Sequence, residues 1–285
     1  MSICYLDGNF LPRDEARISP MDRGFLFGDG GYEVIPVYGR KPFRLDEHLN
    51  RLSNTLAEIR LADPLERTAW VSIVNELVAR NPWDDQSIYV HVSRGADRVR
   101  NHAFPVPTRP TVFLMSDPLA RVPPALVASG VAAVSAVDTR WLRCDLKTTS
   151  LLANCLLRQQ AVDQGCAETI LFRDGFLTEG AASNIFVVRE GVILAPPKSH
   201  LILPGITYDV VISLAAAHGQ PCEVCEISEE EVRSADELWL TSSSKEVLAI
   251  IRLDDRPVGK GVPGPVCRAM YDWYQAFRDR ESGHD

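Results

Sequence analysis

The chain has 285 residues, 46% of them hydrophobic and 24% charged, and a formal net charge of −8 at pH 7. This composition is that of an ordinary globular protein, and the length favours two domains over one small core. The acidic balance argues against nucleic acid or an anionic membrane as partner, because both require basic patches. An anionic cofactor or substrate must therefore be held by a few local arginines.

Targeting and cysteine features favour a cytoplasmic protein. The charged residues Asp7, Arg13 and Asp14 leave no apolar signal-peptide core near the N-terminus, and no uncharged apolar run is long enough to span a membrane. The seven cysteines are scattered and odd in number, which suits a reducing compartment better than a disulfide framework. No histidine or cysteine spacing indicates a metal site.

In the first half of the chain, helix and strand patterns alternate. Apolar residues recur at helical spacing over residues 44–61, with Asp46 as the expected N-cap. Residues 87–93 (SIYVHVS) alternate like a half-buried strand. The proline-punctuated stretch after residue 117 predicts a linker.

The second half opens with a strand-like run at residues 131–137. Two hairpins are then predicted, with turns at Asp174-Gly175 and Glu190-Gly191. Ser228-x-x-Glu231 is a capping-box signature for a short helix. Longer helices are predicted where apolar periodicity ends at glycine or at a basic residue: residues 149–164, 206–218 and 266–278.

This order of elements predicts two α/β domains that meet near residue 120. We place an N-terminal domain at residues 1–118, a linker at 119–124 and a C-terminal domain at 125–285. Ligand sites commonly form where domains meet, so the functional site is expected between them.

The context of Lys147 sets it apart from the other lysines. Only five lysines occur, and three of them lie in turn sequences, whereas Lys147 ends the run RWLRCDLK and precedes an apolar helix. Desolvation, or a neighbouring cation such as Arg143, weakens a lysine's hold on its proton and makes it nucleophilic, as a Schiff base with an aldehyde cofactor requires. On context alone, a strand-end lysine in an ion pair is the alternative.

Candidates also exist for the other groups that pyridoxal 5′-phosphate needs, namely a carboxylate at the pyridine nitrogen and an anion site for the phosphate. Glu179 follows a predicted hairpin beside small residues. The sequence Leu203-Pro-Gly-Ile-Thr207 leads into a helix whose free N–H groups suit a phosphate, and residues 241–244 offer hydroxyl donors. Arg51 on the first long helix could add a charged contact. Taken singly, such residues are more often helix caps or surface groups.

In their order along the chain, several motifs together resemble those of the class IV (fold-type IV) aminotransferases, and among them the D-amino-acid aminotransferases. The resemblance covers nearly the whole chain and implies a two-domain α/β (α+β) fold. It also implies a smaller N-terminal α/β domain and a larger C-terminal domain built around a β-barrel-like sheet. The matching stretches are DRGFLFGDGGYEV at 22–34, EHLNRL at 47–52, RWLRCDLK at 140–147, TEG at 178–180, Ser183-Asn184, GIT at 205–207 and DVV at 209–211.

The resemblance implies a role for each matching residue. Lys147 would form the Schiff base and move the α-proton, and Glu179 would pair with the pyridine nitrogen. Family members are homodimers in which the Arg-x-His pair serves the neighbouring site, so the implied assembly is a homodimer that acts on D-amino acids and 2-oxo acids. The remaining implied contacts are to the phosphate from Arg51, Ile206, Thr207 and Ser243, to the rest of the cofactor from Ser183 and Leu203, and to the substrate from Tyr32, Val34, Arg100 and His102.

Within the family, three other activities stay open: a branched-chain L-amino-acid aminotransferase, an (R)-amine transaminase and an aminodeoxychorismate lyase. The Arg100-x-His102 pair favours a substrate with a carboxylate over a simple amine. Two departures affect detail only. Ala181 and Ala182 stand where some members carry hydroxyl residues, and Gly31 stands where a larger residue is common.

Interpretations from other classes rest on short matches. Ser242-Ser-Ser-Lys245 fits the bare S-x-x-K pattern of serine acyl-transfer enzymes, but the expected later K-T-G is missing. Cys222-x-x-Cys225 has no second ligand pair to complete a zinc site. A non-catalytic scaffold is the remaining hypothesis, and the presence of both Lys147 and Glu179 argues against it.

Overall fold

The computed structural model describes residues 2–283, which form two compact units. The first unit is the chain up to Ala120 together with Leu146–Leu151 and the last residues of the C-terminal helix, and the second is Arg121–Asp145 with Leu152–Arg280. The segment that carries Lys147 therefore packs with the N-terminal unit, although it lies well beyond the predicted linker in sequence. The boundaries at residues 119–124 stay a prediction.

The first unit is an antiparallel sheet of six strands with helices on one face, in the order β2-β1-β6-β5-β3-β4. A short 3₁₀ helix at Arg13–Glu15 follows the first hairpin. The strands and helices of this unit are β1 (Ile3–Leu6), β2 (Asn9–Pro12), α1 (Arg23–Phe27), β3 (Gly30–Tyr38), β4 (Lys41–Pro42), α2 (Leu45–Glu58), α3 (Arg67–Arg80), β5 (Gln86–Ser93) and β6 (Thr111–Pro118).

The two faces of this sheet differ because side chains alternate along each strand. Ile35, Val90 and Leu114 belong to the core that α2 and α3 cover. On β3, Tyr32 and Val34 point to the opposite face, where they are half-buried. The predicted substrate side chains of β3 thus lie on the face that the unit's own helices leave uncovered.

The helix predicted at residues 44–61 and the strand predicted at 87–93 are confirmed by α2 and β5. The N-cap prediction is wrong, because Arg44 occupies that position in the left-handed conformation with φ 54° and makes no side-chain cap. Asp46 lies inside the first turn, where a carboxylate is favoured by the helix dipole.

The second unit is built on a nine-stranded sheet in the order β12-β11-β10-β13-β14-β7-β8-β9, with β15 paired to β14. Its strands and helices are α4 (Pro124–Ser129), β7 (Val131–Val137), α5 (Leu152–Asp163), β8 (Glu168–Arg173), β9 (Phe176–Gly180), β10 (Asn184–Arg189), β11 (Val192–Ala195), α6 (Ile206–Ala217), β12 (Cys222–Val224), α7 (Glu229–Arg233), β13 (Glu237–Ser242), β14 (Glu246–Leu253), β15 (Arg256–Pro257) and α8 (Pro265–Ser282).

This sheet curls like part of a barrel. A tight turn joins β9, at one edge, to β10, and Gly180 N donates to Ser183 O over 2.7 Å. The strands β9 and β10 contact each other although they are not neighbours in the sheet order. The side chains inside the curl, such as Ile170, Leu240 and Ile250, form the main core. The predicted α/β fold with a barrel-like second sheet is confirmed.

The turn and helix predictions of the second half are confirmed, with one shifted start. Both residues of each predicted hairpin turn have positive φ, as type I′ turns require. Ser228 and Glu231 form the complete capping box of α7. The helix predicted from Thr149 begins at Leu152, because the Thr149 N–H donates to Gly30 O instead.

Two further observations concern the helices and the cysteines. Within residues 2–283, no helix is both long enough and apolar enough to cross a bilayer. All seven cysteines carry free thiols.

Candidate functional site

The backbone around Lys147 is bound to the sheet of the first unit. Tyr32 N donates to Lys147 O over 3.0 Å, and Lys147 N donates to Thr55 Oγ1 of α2 over 3.3 Å. Gly31 and Thr148 form an isolated antiparallel bridge. The lysine is therefore fixed between the start of β3 and α2.

The side chain of Lys147 is half-buried, and its Nζ lies 4.2 Å from the centroid of the Tyr32 ring. Among residues 2–283, no carboxylate lies within ion-pair distance of this nitrogen. The half-buried Lys245, in contrast, pairs with Glu168, and the exposed Lys198 pairs with Asp209. The strand-end ion pair that sequence context left open is thus absent at Lys147 in the described chain, and no anion competes for its amine.

Arg51 is held in place by a buried glutamate. Its Nε and Nη2 donate to the two carboxylate oxygens of Glu33 over 2.6 and 2.8 Å, and His48 Nδ1 lies 2.8 Å from Glu33 Oε2. Burial raises the pKa of Glu33, but the charge and hydrogen bonds of Arg51, together with His48, outweigh burial and lower that pKa below its ordinary value. Glu33 is therefore an anion at neutral pH, and it holds the Arg51 guanidinium in a fixed orientation.

On the neighbouring strand β5, two polar aromatic side chains lie on the same uncovered face of the sheet as Tyr32. Tyr32 stands opposite His91 and Val34 opposite Tyr89 in the register of β3 and β5. The Tyr89 hydroxyl and His91 Nδ1 are 2.9 Å apart. Burial raises the pKa of Tyr89 to about 12 and lowers the pKa of His91. Both groups are neutral at pH 7, so they add polar but uncharged side chains to this face.

The two residues predicted to bind the substrate carboxylate lie on the loop between β5 and β6. Arg100 and His102 are both exposed, and both approach the ring of Phe27. The Arg100 guanidinium lies 4.9 Å from that ring centroid, and the His102 ring lies 5.3 Å from it. The structure therefore brings the two residues together on one aromatic surface.

In the second unit, Glu179 is 4% exposed and lies near the end of β9. Arg140 Nη1 donates to its Oε1 over 2.5 Å, and the Leu203 N–H donates to its Oε2 over 3.0 Å. Asn184 Nδ2 is a weaker donor to Oε2 at 3.3 Å. An exposed loop glutamate was an equal alternative at this position, and the burial of Glu179 excludes it.

The arginine beside Glu179 is shared with a second carboxylate. Asp138 accepts from Arg140 Nε and Nη2 over 2.9 and 2.8 Å and also accepts from Thr178 Oγ1. Burial raises the pKa of Glu179 to about 7, although Arg140 acts to lower it. Glu179 can therefore change its protonation near neutral pH.

The predicted phosphate site at α6 has the features of an anion site. Gly205 is the N-cap of this helix and provides no side-chain cap, so the first N–H groups are left for a ligand. A Cβ at Gly205 would clash with Asn184 Oδ1, so a larger residue there would require the Asn184 side chain to shift. Thr207 is buried in the first turn, and Ser243 is half-buried in the turn between β13 and β14.

A further hydroxyl and two predicted contact residues lie in the same unit. Within the described chain, the buried Thr241 Oγ1 has no hydrogen-bond partner. Ser183 is buried, but its hydroxyl donates to Glu168 Oε2 over 2.8 Å and so is already engaged. Leu203 contributes its N–H to Glu179 and its carbonyl to Asn184. Ala181 is buried and Ala182 exposed.

The family model of "Amino-transferase class IV" matches residues 30–253. The chain belongs to the class IV aminotransferases. A D-alanine aminotransferase of Bacillus licheniformis is 37% identical over 262 residues, which is 92% of each chain. A D-alanine aminotransferase of Staphylococcus haemolyticus is 33% identical over 99% of this chain and 100% of its own length.

The solved structures that resemble this chain include a branched-chain aminotransferase of the archaeon Thermoproteus uzoniensis with norvaline. That structure superposes with a TM-score of 0.87 at 26% identity and covers 100% of this chain and 96% of its own. Another solved branched-chain amino acid aminotransferase, from T.th., contains pyridoxamine 5′-phosphate and superposes with a TM-score of 0.90 at 27% identity, over 100% of this chain and 95% of its own. The predicted membership of the class IV family and the predicted fold are therefore confirmed.

The interpretations from other classes find no support in the geometry. The Nζ of Lys245 contacts Ala167 O and Glu168, while only its backbone N–H donates to Ser242 Oγ, so the lysine is not placed as a base for that serine. Within residues 2–283, no three His, Cys, Asp or Glu side chains cluster as a metal site would require.

Two residues that sequence reasoning left without a role hold the predicted site residues. Glu33 orients Arg51, and Arg140 binds Glu179. The signal for Glu33 is a lone carboxylate in the apolar strand β3. The signal for Arg140 is its place in the run that ends at Lys147, although nothing local in that run indicates its partner.

Proposed function

We propose that this chain is a pyridoxal 5′-phosphate-dependent aminotransferase that transfers the amino group of a D-amino acid, such as D-alanine, to a 2-oxo acid, such as 2-oxoglutarate. The observation that carries the proposal is the half-buried Lys147 amine without a carboxylate partner in the described chain, held beside Tyr32 in a class IV aminotransferase. The D-alanine aminotransferases at 33–37% identity support the substrate class.

The residues suit the cofactor in charge and in hydrogen-bonding groups. Glu179 offers a buried carboxyl for the pyridine nitrogen, and the α6 N-terminus at Ile206 and Thr207 offers N–H and hydroxyl donors for the phosphate. The unsatisfied Thr241 Oγ1 suits the same anion, and the family resemblance assigns the oriented Arg51 to the phosphate as well. When bound, pyridoxal 5′-phosphate supplies an electron sink for the substrate Cα.

We assign the remaining cofactor contacts by resemblance to the family. Ser243 would add a hydroxyl to the phosphate, Leu203 would pack against the ring, and Ser183 would contact the cofactor. Lys147 Nζ would accept and return the proton of the substrate Cα, a role that requires a free amine. The pKa of Glu179 is about 7, so its carboxyl can lose its proton near neutral pH. The resulting carboxylate would stabilise a positive charge on the ring nitrogen.

The substrate carboxylate is assigned to Arg100 and His102 with the Tyr32 hydroxyl, and Val34 borders the same face. A guanidinium that binds a carboxylate through two parallel hydrogen bonds fixes its orientation as well as its charge. Fixing the carboxylate decides which α-hydrogen faces Lys147, and therefore which enantiomer reacts. The family resemblance supports a cytoplasmic homodimer in which Arg100 and His102 serve the neighbouring site.

A branched-chain L-amino-acid aminotransferase is the second candidate, since both solved structures described above are named as branched-chain aminotransferases. The paired Arg100 and His102 on the Phe27 ring favour the D-amino-acid assignment. A lyase or an (R)-amine transaminase has no comparable observation in its favour.

The test combines absorbance spectra with a substrate screen. Wild-type protein with cofactor should show a visible band that shifts with D-alanine and not with L-leucine, and Lys147→Ala should lose the band and all turnover. Lys245→Ala is the matched control, because Lys245 is also half-buried but engaged by Glu168. Turnover of L-leucine without turnover of D-alanine would transfer the assignment to the second candidate.

A further inference from the structure

A single buried arginine fastens the loop that carries Arg100 and His102. Arg23 is 3% exposed, and its guanidinium donates to the carbonyl oxygens of three consecutive residues: Asn101, His102 (3.1 Å) and Ala103 (3.3 Å). The side chains of Arg100 and His102 themselves are exposed. The backbone of this loop is therefore held from the inside while the two side chains face solvent.

The charge of Arg23 is balanced by a carboxylate that it shares with a second buried arginine. Asp29 accepts from Arg23 Nε over 2.7 Å and from Arg94 Nε over 2.9 Å. Arg94 also donates to Ile59 O and Arg60 O, directly after α2. The loop is thus tied, through Asp29, to the end of the helix that carries Arg51, so it is anchored to a rigid element.

Arg23 and the aromatic surface under the pair belong to one short helix. The helix α1 begins at Arg23, with the Asp22 side chain accepting from Gly24 N, and ends at Phe27, followed by Gly28 with φ 65°. Phe27 contacts Arg100 and His102 by its ring, while Arg23 holds the backbone of the same loop. The two ends of α1 therefore constrain both the main chain and the side chains.

We propose that Arg23 is a positioning residue for substrate recognition, which fixes the loop so that Arg100 and His102 meet the substrate carboxylate. This inference rests on the proposed function, because it requires those two residues to bind that carboxylate. Two parallel hydrogen bonds to a carboxylate tolerate only small displacements, and an exposed loop without an internal anchor would sample many of them.

The test uses Arg23→Lys, which keeps the charge but cannot donate to three carbonyls and Asp29 at once. The matched control is Arg40→Lys, since Arg40 also donates to consecutive carbonyls, including Val78 O and Ala79 O, but at a different loop. We expect Arg23→Lys to raise KM for D-alanine by about 10- to 100-fold with a much smaller change in kcat. The control should leave both constants unchanged.

Two readouts separate positioning from general loss of structure. Calorimetric titration with D-lactate, an unreactive carboxylate, should show the same loss of affinity in Arg23→Lys as the KM reports. In an Arg100→Ala background, Arg23→Lys should add much less than it does to wild type, because the group it positions is gone. If Arg23→Lys does not fold, Phe27→Leu, which leaves the Arg23 hydrogen bonds in place, should raise KM in the same direction.

The outcomes distinguish the inference from the function on which it rests. If Arg100→Ala raises KM for D-alanine but neither Arg23→Lys nor Phe27→Leu does so, the inference is overturned and the proposed function stands. If the effects of Arg23→Lys and Arg100→Ala multiply, Arg23 does not act through Arg100. If Arg100→Ala leaves KM unchanged, the carboxylate assignment fails and the inference fails with it.

Discussion

Glu33 in the first unit and Glu179 in the second are both buried carboxylates bound to an arginine, yet their protonation is pushed in opposite directions. Arg51 donates to both oxygens of Glu33, and His48 adds a third contact, so the pKa of Glu33 falls. Arg140 gives one donor to Glu179 and two to Asp138, so burial dominates and raises the pKa of Glu179 to about 7.

The difference shows how the same residue types serve two purposes. A carboxylate that is paired through both oxygens to one arginine is a fixed anion, suited to orienting that arginine toward a phosphate. A carboxyl that shares its arginine with a second acid keeps a pKa near 7, so its charge can change when a ring nitrogen binds beside it. Both carboxylates have an arginine partner, so its presence alone does not distinguish them. The number of arginine donors that each carboxylate receives decides whether it only orients the arginine or can also change its protonation.

The largest effect is expected at the fully paired carboxylate. Glu33→Gln removes the anionic partner of Arg51 from a buried ion pair, so the free energy of unfolding should fall by about 3–5 kcal/mol. Urea denaturation measures this change. Glu76→Gln, which breaks an exposed pair with Arg80, should cost at most about 0.5 kcal/mol, and equal losses in the two variants would contradict the role of Glu33.

Glu179→Gln should act on turnover more than on stability. An amide keeps the shape of the carboxyl but cannot carry its negative charge to the ring nitrogen, so kcat should fall by about 10²- to 10³-fold. Steady-state kinetics with D-alanine measures the loss. Glu237→Gln is the control, since Glu237 is buried near the start of α8 and accepts from Val266 N and Cys267 N. Unaltered kcat in Glu179→Gln would count against the ring-nitrogen assignment.

The two carboxylates should also give opposite pH signatures in the cofactor-free protein. The folded pKa of Glu179 is raised, so its contribution to stability is full below the unfolded pKa of about 4.3 and is lost as pH rises through about 7. The folded pKa of Glu33 is lowered, so its contribution is present above the unfolded pKa and is lost as pH falls below it.

Denaturation of wild type, Glu179→Gln and Glu33→Gln at several pH values tests these signs. The stability of wild type relative to Glu179→Gln should decrease from about pH 4 to about pH 7. The stability of wild type relative to Glu33→Gln should decrease only below about pH 4. A wild-type curve parallel to that of Glu179→Gln across neutral pH would show that Glu179 does not titrate there.

The smallest effect is expected away from both carboxylates. Ser228→Ala removes the side-chain acceptor from the capping box of α7 and should cost about 1 kcal/mol of stability without altering KM or kcat. Thermal denaturation and kinetics together give the baseline for a purely structural change. A kinetic effect as large as that of Glu179→Gln would show that stability loss alone can imitate the chemical variants.

Local signals carried most of the fold prediction. The leucines of α2, the Asp174-Gly175 turn and the Ser228 capping box each depend on neighbours in sequence, and each is confirmed. The wrong N-cap prediction at Asp46 shows where local signals fail. Arg44 takes a left-handed conformation that is uncommon for arginine and therefore was not expected from the sequence.

Candidate site residues could be selected from the sequence where the residue type and its sequence neighbours were enough to suggest a role. Lys147, Glu179 and the α6 N-terminus could be selected from context and resemblance. The residues that hold them could not, because Glu33 reaches Arg51 across 18 positions and Arg140 reaches Glu179 across 39. Such pairings depend on strand register and on which face of a strand is covered, and neither is written in a local pattern.

The attachment point of the cofactor is the most direct test of the whole account. Protein saturated with pyridoxal 5′-phosphate would be reduced with borohydride, digested and examined by mass spectrometry. The expected result is one phosphopyridoxyl group per chain, located on Lys147. A label on Lys245 or any other lysine, or no label on saturated protein, would contradict the central claim.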